Sequence, residues 1–304
     1  MQCLLNQMKQ NRHKRYWRNL ARFLLATLVL GLAIAAAILS YQGAYFYTHP
    51  PRDLASVQRD PADFDTLFVE LVLETEDGLR IQAWYTPPEN EVVILLAHGY
   101  AQSRVAERHA LFAHNGFGVL SWDARAHGTS EGEVTTVGYH EVLDVGAALD
   151  YVMAQPNVRR VGGYGVSMGG ATMIRAAAAH VEIEAVVTDS SYAVLEEVAN
   201  HIMPFDVLEP SLRWFAEREM GVSLEAMRPV DEIGRLSPRP VFIIHGDADQ
   251  TVPVEGSRRL YEAAGEPRFL WTASNASHAN VQAVYSEEYE KRVIGFFREY
   301  LVQR

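Results

Sequence analysis

The sequence predicts an α/β fold: a mostly parallel central sheet that begins with an antiparallel hairpin, helices on both faces, a small helical lid, and one transmembrane helix preceding it. Three observations lead there. Residues 23–48 carry no charge; two alternating segments flank Glu76-Asp77-Gly78; and from Val92 onward short apolar runs alternate with helical periods. Strands that read as unbroken apolar runs are buried on both faces, and crossover helices between them make a parallel sheet covered on both sides.

Residues 1–22 are a basic segment, with Lys9, Arg12, Lys14, Arg15, Arg18 and Arg22 and no acid. Residues 23–47 are the expected transmembrane anchor, nearly continuous in Leu, Ala, Val and Ile as far as Leu39. About 20 residues rising ~1.5 Å each cross a hydrocarbon core of roughly 30 Å. Tyr16 and Trp17 before the run, and Tyr41, Tyr45, Phe46 and Tyr47 after it, stand where interfacial aromatic belts lie. The positive-inside bias keeps the N-terminus in the cytoplasm and the body outside the cytoplasmic membrane. A cleaved signal has the same basic-then-apolar order and leaves a secreted protein; its best cleavage region is Gln42-Gly43-Ala44.

Residues 48–65 read as an extended linker, and 66–304 as one folded domain. Within it, 67–73 and 79–85 form the hairpin. Buried strands are expected at 92–97, 118–122, 160–166, 185–188, 241–245 and 269–272, with helices at 102–115, 138–154, 168–180, 254–264 and 284–302. Residues 193–238 break the alternation. An aromatic-rich excursion of that length reads as a lid over a site, with a surface helix pair as the plain alternative.

Composition narrows the function. Of 304 residues, 48% are hydrophobic and 21% charged, enough apolar material for a packed core. A single cysteine, Cys3, excludes an intramolecular disulfide framework and multi-cysteine zinc or iron–sulfur sites. The net charge is −11, made of +6 on residues 1–40 and −17 on the rest, which argues against nucleic-acid binding. His109 and His114 are five apart and share no helix face, so no metal site is expected from the histidines.

Ser167 stands in Gly165-x-Ser167-x-Gly169, between a predicted strand and an Ala-rich helix. That is the pattern of a nucleophile elbow, where glycines two residues either way remove side chains that would collide with the turn. No third glycine fits a dinucleotide loop, and no Gly-Lys-Ser/Thr fits a phosphate loop. A serine hydroxyl needs a base, and the base an orienting acid. His278, after the last strand, is the candidate base. Asp249, in the loop after the strand at 241–245, is the candidate acid, with Asp189 and Asp247 as rivals. A tetrahedral oxyanion needs two donors: the Met168 N–H, just after the nucleophile, and the Tyr100 N–H, in the loop His98-Gly99-Tyr100. His98 is expected to be structural, bonded to a neighbouring loop.

Over about residues 65–302 the chain resembles the α/β-hydrolase superfamily. The likeness rests on His98-Gly99-Tyr100, on Asp123-Ala124-Arg125-Ala126-His127-Gly128-Thr129-Ser130, on Gly165 to Gly169, and on His245 to Pro253 with His278. The second motif is similar to the D-x-R-G-H-G-x-S loop of that family, with Ala126 in place of its glycine. Within the superfamily the sequence looks closest to the serine-aminopeptidase-like branch, which includes esterases, lipases and peptidases. The resemblance implies hydrolysis of an ester, thioester or amide through an acyl-enzyme, with no metal or organic cofactor. In the interval 193–238, Met203, Phe205, Trp214 and Phe215 are expected to bind an apolar substrate part, while Glu217 and Glu219 suit a substrate amine. A carboxylesterase or lipase is the favoured reading. A serine aminopeptidase, an acyltransferase and a non-catalytic binding domain are the alternatives.

Overall fold

A computed structural model describes residues 1–52, 59–202 and 207–303, the side chains of 3–7 excepted. The chain opens with helix α1 (Gln2–Thr48), then a hairpin, β1 (Val69–Glu74) and β2 (Arg80–Thr86). Strands β3 (Val92–Ala97), β4 (Gly118–Trp122), β5 (Arg160–Val166), β6 (Ile183–Asp189), β7 (Val241–Gly246) and β8 (Arg268–Ala273) follow. Crossovers are α2 (Ala106–Ala113), α3 (Glu141–Met153) and α4 (Met168–Ala179), after β3, β4 and β5 respectively. Between β6 and β7 come α5 (Leu195–Ile202), α6 (Glu209–Met220) and the single turn α7 (Pro229–Glu232). After β7 lie α8 (Val254–Ala263), a short α9 (Val281–Val284) and α10 (Ser286–Phe297).

The eight strands form one sheet in the order β1-β2-β4-β3-β5-β6-β7-β8. Pairings β1/β2 and β2/β4 are antiparallel and the others parallel. The α/β fold expected from the sequence is therefore what the chain adopts. β3 and β7 are buried at every position, which is why they show no alternation of apolar and polar residues. At the sheet edge β1 leaves Val69 and Val72 half exposed. One face of the sheet packs Val145, Leu149, Met173, Ile174 and Leu260 of α3, α4 and α8; the other packs Phe112 of α2 with Tyr289, Val293 and Phe297 of α10.

Several bounds differ from the expected ones, for local reasons. The strand expected at 185–188 begins at Ile183, because Glu184 is neutralised by Arg160 on the adjacent strand at 2.8 Å. The helix expected from 102 begins at Ala106, since the Arg104 N–H donates to the Asp123 carboxylate at 2.9 Å. The helix expected from 138 begins at Glu141, whose buried carboxylate gathers the Thr135 hydroxyl and the Thr136 and Gly138 N–H groups ahead of it. Residues 2–22 continue the apolar run as one helix, and α1 is the described helix long and apolar enough to cross a membrane.

The loop after β4 is held by charge. Arg125, nearly buried, bonds Asp144 of α3 at 2.8 Å and Asp77 of the hairpin turn at 2.7 Å, joining two distant elements. Gly128 has no Cβ because one would overlap the Asp123 carboxylate. Ala126, where the resembled motif has glycine, sits at φ 63°, a left-handed conformation that a Cβ disfavours. Ala126→Gly is expected to stabilise the protein by about 1 kcal/mol, raising the unfolding midpoint by about 2–4 °C in a thermal melt.

Candidate active site

β5 ends at Val166 and α4 starts at Met168, so the chain turns from strand to helix within one residue. That residue is Ser167, at φ 51° and ψ −116°. The turn depends on two missing side chains. A Cβ at Gly165 would overlap the Gly169 carbonyl, and one at Gly169 would overlap the Ala97 carbonyl of β3. The Ser167 N–H donates to the Asp189 carbonyl at 2.8 Å, anchoring the turn to β6.

Ser167 Oγ lies 3.0 Å from His278 Nε2, and His278 Nδ1 lies 2.7 Å from Asp249 Oδ2. The structure thus brings together three residues from loops that follow β5, β7 and β8. Because an ionised carboxylate only accepts, Nδ1 carries the imidazole proton, and Nε2 is left to accept from the serine hydroxyl. Asp249 Oδ1 accepts from the Thr251 and Val252 N–H groups, both at 2.9 Å. Burial opposes ionisation of Asp249, yet hydrogen bonds from His245, His278 and the Val252 N–H outweigh it and hold the carboxyl well below the usual range.

His245, which the sequence alone marks only as part of the His245 to Pro253 motif, supports the acid. It ends β7, with Nε2 3.1 Å from Asp249 Oδ2 and 2.9 Å from the Val252 carbonyl, and Nδ1 2.6 Å from Ser257 Oγ. The one signal in the sequence was a histidine closing an apolar strand four residues ahead of the acid. The rival acids are committed elsewhere. Asp247 Oδ1 accepts from the Asn275 N–H at 2.6 Å. Asp189 is buried and accepts from Tyr289 at 2.8 Å and Ser190 at 2.9 Å. Ser190 in turn accepts from the Ala279 N–H at 3.0 Å, which braces the residue after His278.

Met168 opens α4, so its N–H has no carbonyl four residues back and faces the site with the positive end of the helix dipole. Tyr100 lies in the loop after β3, and its hydroxyl donates to the Phe46 carbonyl at 2.9 Å. Burial and the nearby Tyr47 push that hydroxyl up to about 12. His98 is buried between the Gly99 carbonyl, 2.7 Å from Nδ1, and the Ala124 N–H, 2.9 Å from Nε2. Burial, then the neighbouring His127, push it down to about 4, so it is a neutral brace between two loops.

A cavity of about 250 Å³ opens over Ser167, Met168, His278 and Tyr100, roofed by residues of α5 and α6 such as Val198, Leu212 and Ala216. Trp214 and Phe215 are not among the described residues that line it. Trp214 is exposed, and Phe215 packs edge-on against Tyr41 of α1. Met203 and Phe205 lie outside the described residues. Glu217 is engaged by Arg213, Ser223 and the Leu224 N–H, and no carboxylate is among the described lining residues. Among the described residues no group of three or more His, Cys, Asp or Glu is placed to hold a metal ion.

A mostly parallel sheet with a serine on a strand-to-helix elbow, an imidazole against it and a carboxylate behind defines a serine hydrolase of α/β fold. The fold is that of the α/β-hydrolase superfamily. Residues 75–202 match the model of the X-Pro dipeptidyl-peptidase (S15) family. YqkD of Bacillus subtilis is 28% identical over 237 residues, 74% of this chain and 77% of its own. The Pyrococcus furiosus esterase Pf2001 is 27% identical with a TM-score of 0.71, covering 84% of this chain and 98% of that one. A Mycobacterium tuberculosis puromycin-hydrolyzing peptidase shares the fold, with a TM-score of 0.66 at 19% identity, over 79% of this chain and 41% of that one.

The lowered Asp249 carboxyl ties stability to pH. Its contribution is present above the unfolded carboxylate value of about 4 and is lost as pH falls through the lower folded value. Urea midpoints measured against pH are expected to show wild type exceeding Asp249→Asn at neutral pH, with the gap closing only on strong acidification.

Proposed function

We propose that this protein is a membrane-anchored serine hydrolase that cleaves an ester, thioester or amide through an acyl-enzyme, with carboxylic esters favoured. The observation that carries the reading is the hydrogen-bonded chain from Ser167 through His278 to Asp249. His278 Nε2 takes the hydroxyl proton as Ser167 Oγ bonds to the substrate carbonyl carbon. Asp249 stabilises the imidazolium and fixes its orientation. The Met168 and Tyr100 N–H groups receive the oxyanion. As the tetrahedral adduct collapses, His278 returns the proton to the leaving alcohol, thiol or amine. Water, deprotonated by the same imidazole, then releases the acid and restores Ser167.

Anchoring is supported by the uncharged stretch of α1, exposed on nearly every face from residue 23 to 39, and by the basic residues ahead of it. Orientation by the positive-inside bias keeps residues 1–22 in the cytoplasm and the hydrolase domain outside. A peptidase is the second reading, favoured by the S15 family match. Against it, an aminopeptidase needs an anion for the substrate ammonium, and the described lining residues supply none.

A fluorophosphonate probe is expected to label wild type and to fail on Ser167→Ala; equal labelling of the two overturns the proposal. Asp249→Asn is expected to lower kcat on p-nitrophenyl acetate by roughly 10⁴ while the thermal melt stays cooperative. Protease added to spheroplasts is expected to digest the hydrolase domain, and full protection would reverse the topology.

A further inference from the structure

The end of α1 changes character before it reaches the site. From 23 to 39 nearly every residue is exposed, with Leu24, Leu28 and Leu32 near 60%. At Ser40 a single buried face begins: Ser40, Ala44 and Thr48 are fully covered, with Gly43 and Tyr47 partly covered beside them. That spacing is one helical stripe, and its partner is α6. Ser40 Oγ is 2.6 Å from Ser211 Oγ, and a Cβ at Gly43 would come within 2.9 Å of Leu212 Cδ1.

One turn further on, Tyr47 and Thr48 are themselves walls of the cavity. The helix end is then fastened to the hydrolase domain. The Thr48 carbonyl accepts from the Thr135 N–H at 2.9 Å, and the Tyr100 hydroxyl bonds the Phe46 carbonyl. The Arg52 guanidinium donates to the carbonyls of Gly128, Ser130 and Gly132 at 3.1, 2.6 and 2.7 Å. A helix that only tethered the enzyme would need none of these contacts.

We propose that the last two turns of α1 are a wall of the substrate site, and that the substrate is a single-chain acyl ester dissolved in the bilayer, entering along the α1–α6 contact. This rests on the membrane-anchored hydrolase reading above. Thr48 lies nine residues beyond Leu39, about 14 Å along the helix axis, whereas the headgroup zone is only roughly 5–8 Å deep on each side. Each methylene moved from hydrocarbon into water costs about 0.8 kcal/mol, so a chain drawn that far must travel against apolar surface. Leu212, Ala216, Val198 and Ile202 supply it on the lid side. The cavity volume of about 250 Å³ falls just below the usual ~300–1,000 Å³ of small-molecule sites and suits one chain rather than two. No charged side chain is among its described lining residues, which fits a hydrocarbon occupant.

The test uses full-length protein in lipid nanodiscs, with kcat/KM measured for p-nitrophenyl acetate and p-nitrophenyl palmitate. Gly43→Leu drives α1 and α6 apart, and Tyr47→Trp fills the wall. Both are expected to lower the palmitate-to-acetate ratio by about tenfold or more, equivalent to losing about two methylenes of burial. Fluorophosphonate labelling of Ser167 reports whether each variant remains folded, and Tyr47→Trp decides the matter if Gly43→Leu does not label. An unchanged ratio in a labelled variant overturns the proposal. Wild type that cleaves acetate but not palmitate overturns the substrate class and leaves the hydrolase reading standing. Wild type that cleaves neither ester and takes no label overturns the hydrolase reading itself.

Discussion

A hydroxyl can stand free at the carboxyl edge of a sheet only if the chain passes from strand to helix in one residue, and that requires neighbours without side chains. Ser167 meets the condition at φ 51° because Gly165 and Gly169 let the Gly169 and Ala97 carbonyls close in. The close approach of Ala97 brings the end of β3 against the turn, and with it the loop that carries Tyr100. The strand order does the rest. β3, β5, β6 and β7 are successive neighbours at the centre of the sheet, so the loops leaving them, and the loop after β8, meet above one edge. A side chain at either glycine would displace Ser167 and the neighbouring loop together.

Behind the serine the arrangement is electrostatic. Asp249 is covered by protein yet surrounded by donors: two backbone N–H groups on one oxygen and the rings of His278 and His245 around the other. A carboxylate satisfied in this way stays ionised and has little freedom to turn, so His278 inherits a fixed orientation. His245 is in turn pinned by Ser257 and the Val252 carbonyl, which makes α8 part of the support. The Asp189–Ser190–Ala279 contacts brace the same loop from the other side.

Much of this was legible in the sequence. The strands at 92–97, 118–122 and 160–166 agree to the residue: the first is an uninterrupted apolar run, and the other two are short segments without helical period, broken by Ser121 in one and by Arg160 and glycines in the other. Ser167, His278 and Asp249 were legible because a glycine-flanked serine and two loops after strands are local patterns, and the structure brings them within hydrogen-bonding distance. What long-range pairing decides was hidden. Glu184 reads as a strand breaker until Arg160 lies beside it, and His245 reads as an odd end to a strand until Asp249 folds back. Trp214 and Phe215 stand out in the sequence by bulk, whereas periodicity decides which residues face the cavity. On α6 the face toward the cavity is Leu212, Ala216 and Met220, four residues apart, and the two aromatics fall off that face. The docking stripe on α1 was invisible for a similar reason: Ser40, Gly43, Ala44 and Thr48 are small residues that read as the fading end of an apolar run.

The grip of Arg52 on three loop carbonyls has a kinetic consequence. If α1 spans a bilayer as proposed, the contacts of residues 48–52 restrain helix and hydrolase domain against each other, and each copy presents its pocket at a similar height and tilt. On that reading, encounter with a bilayer-borne partner is a search in two dimensions, governed by surface density instead of bulk concentration.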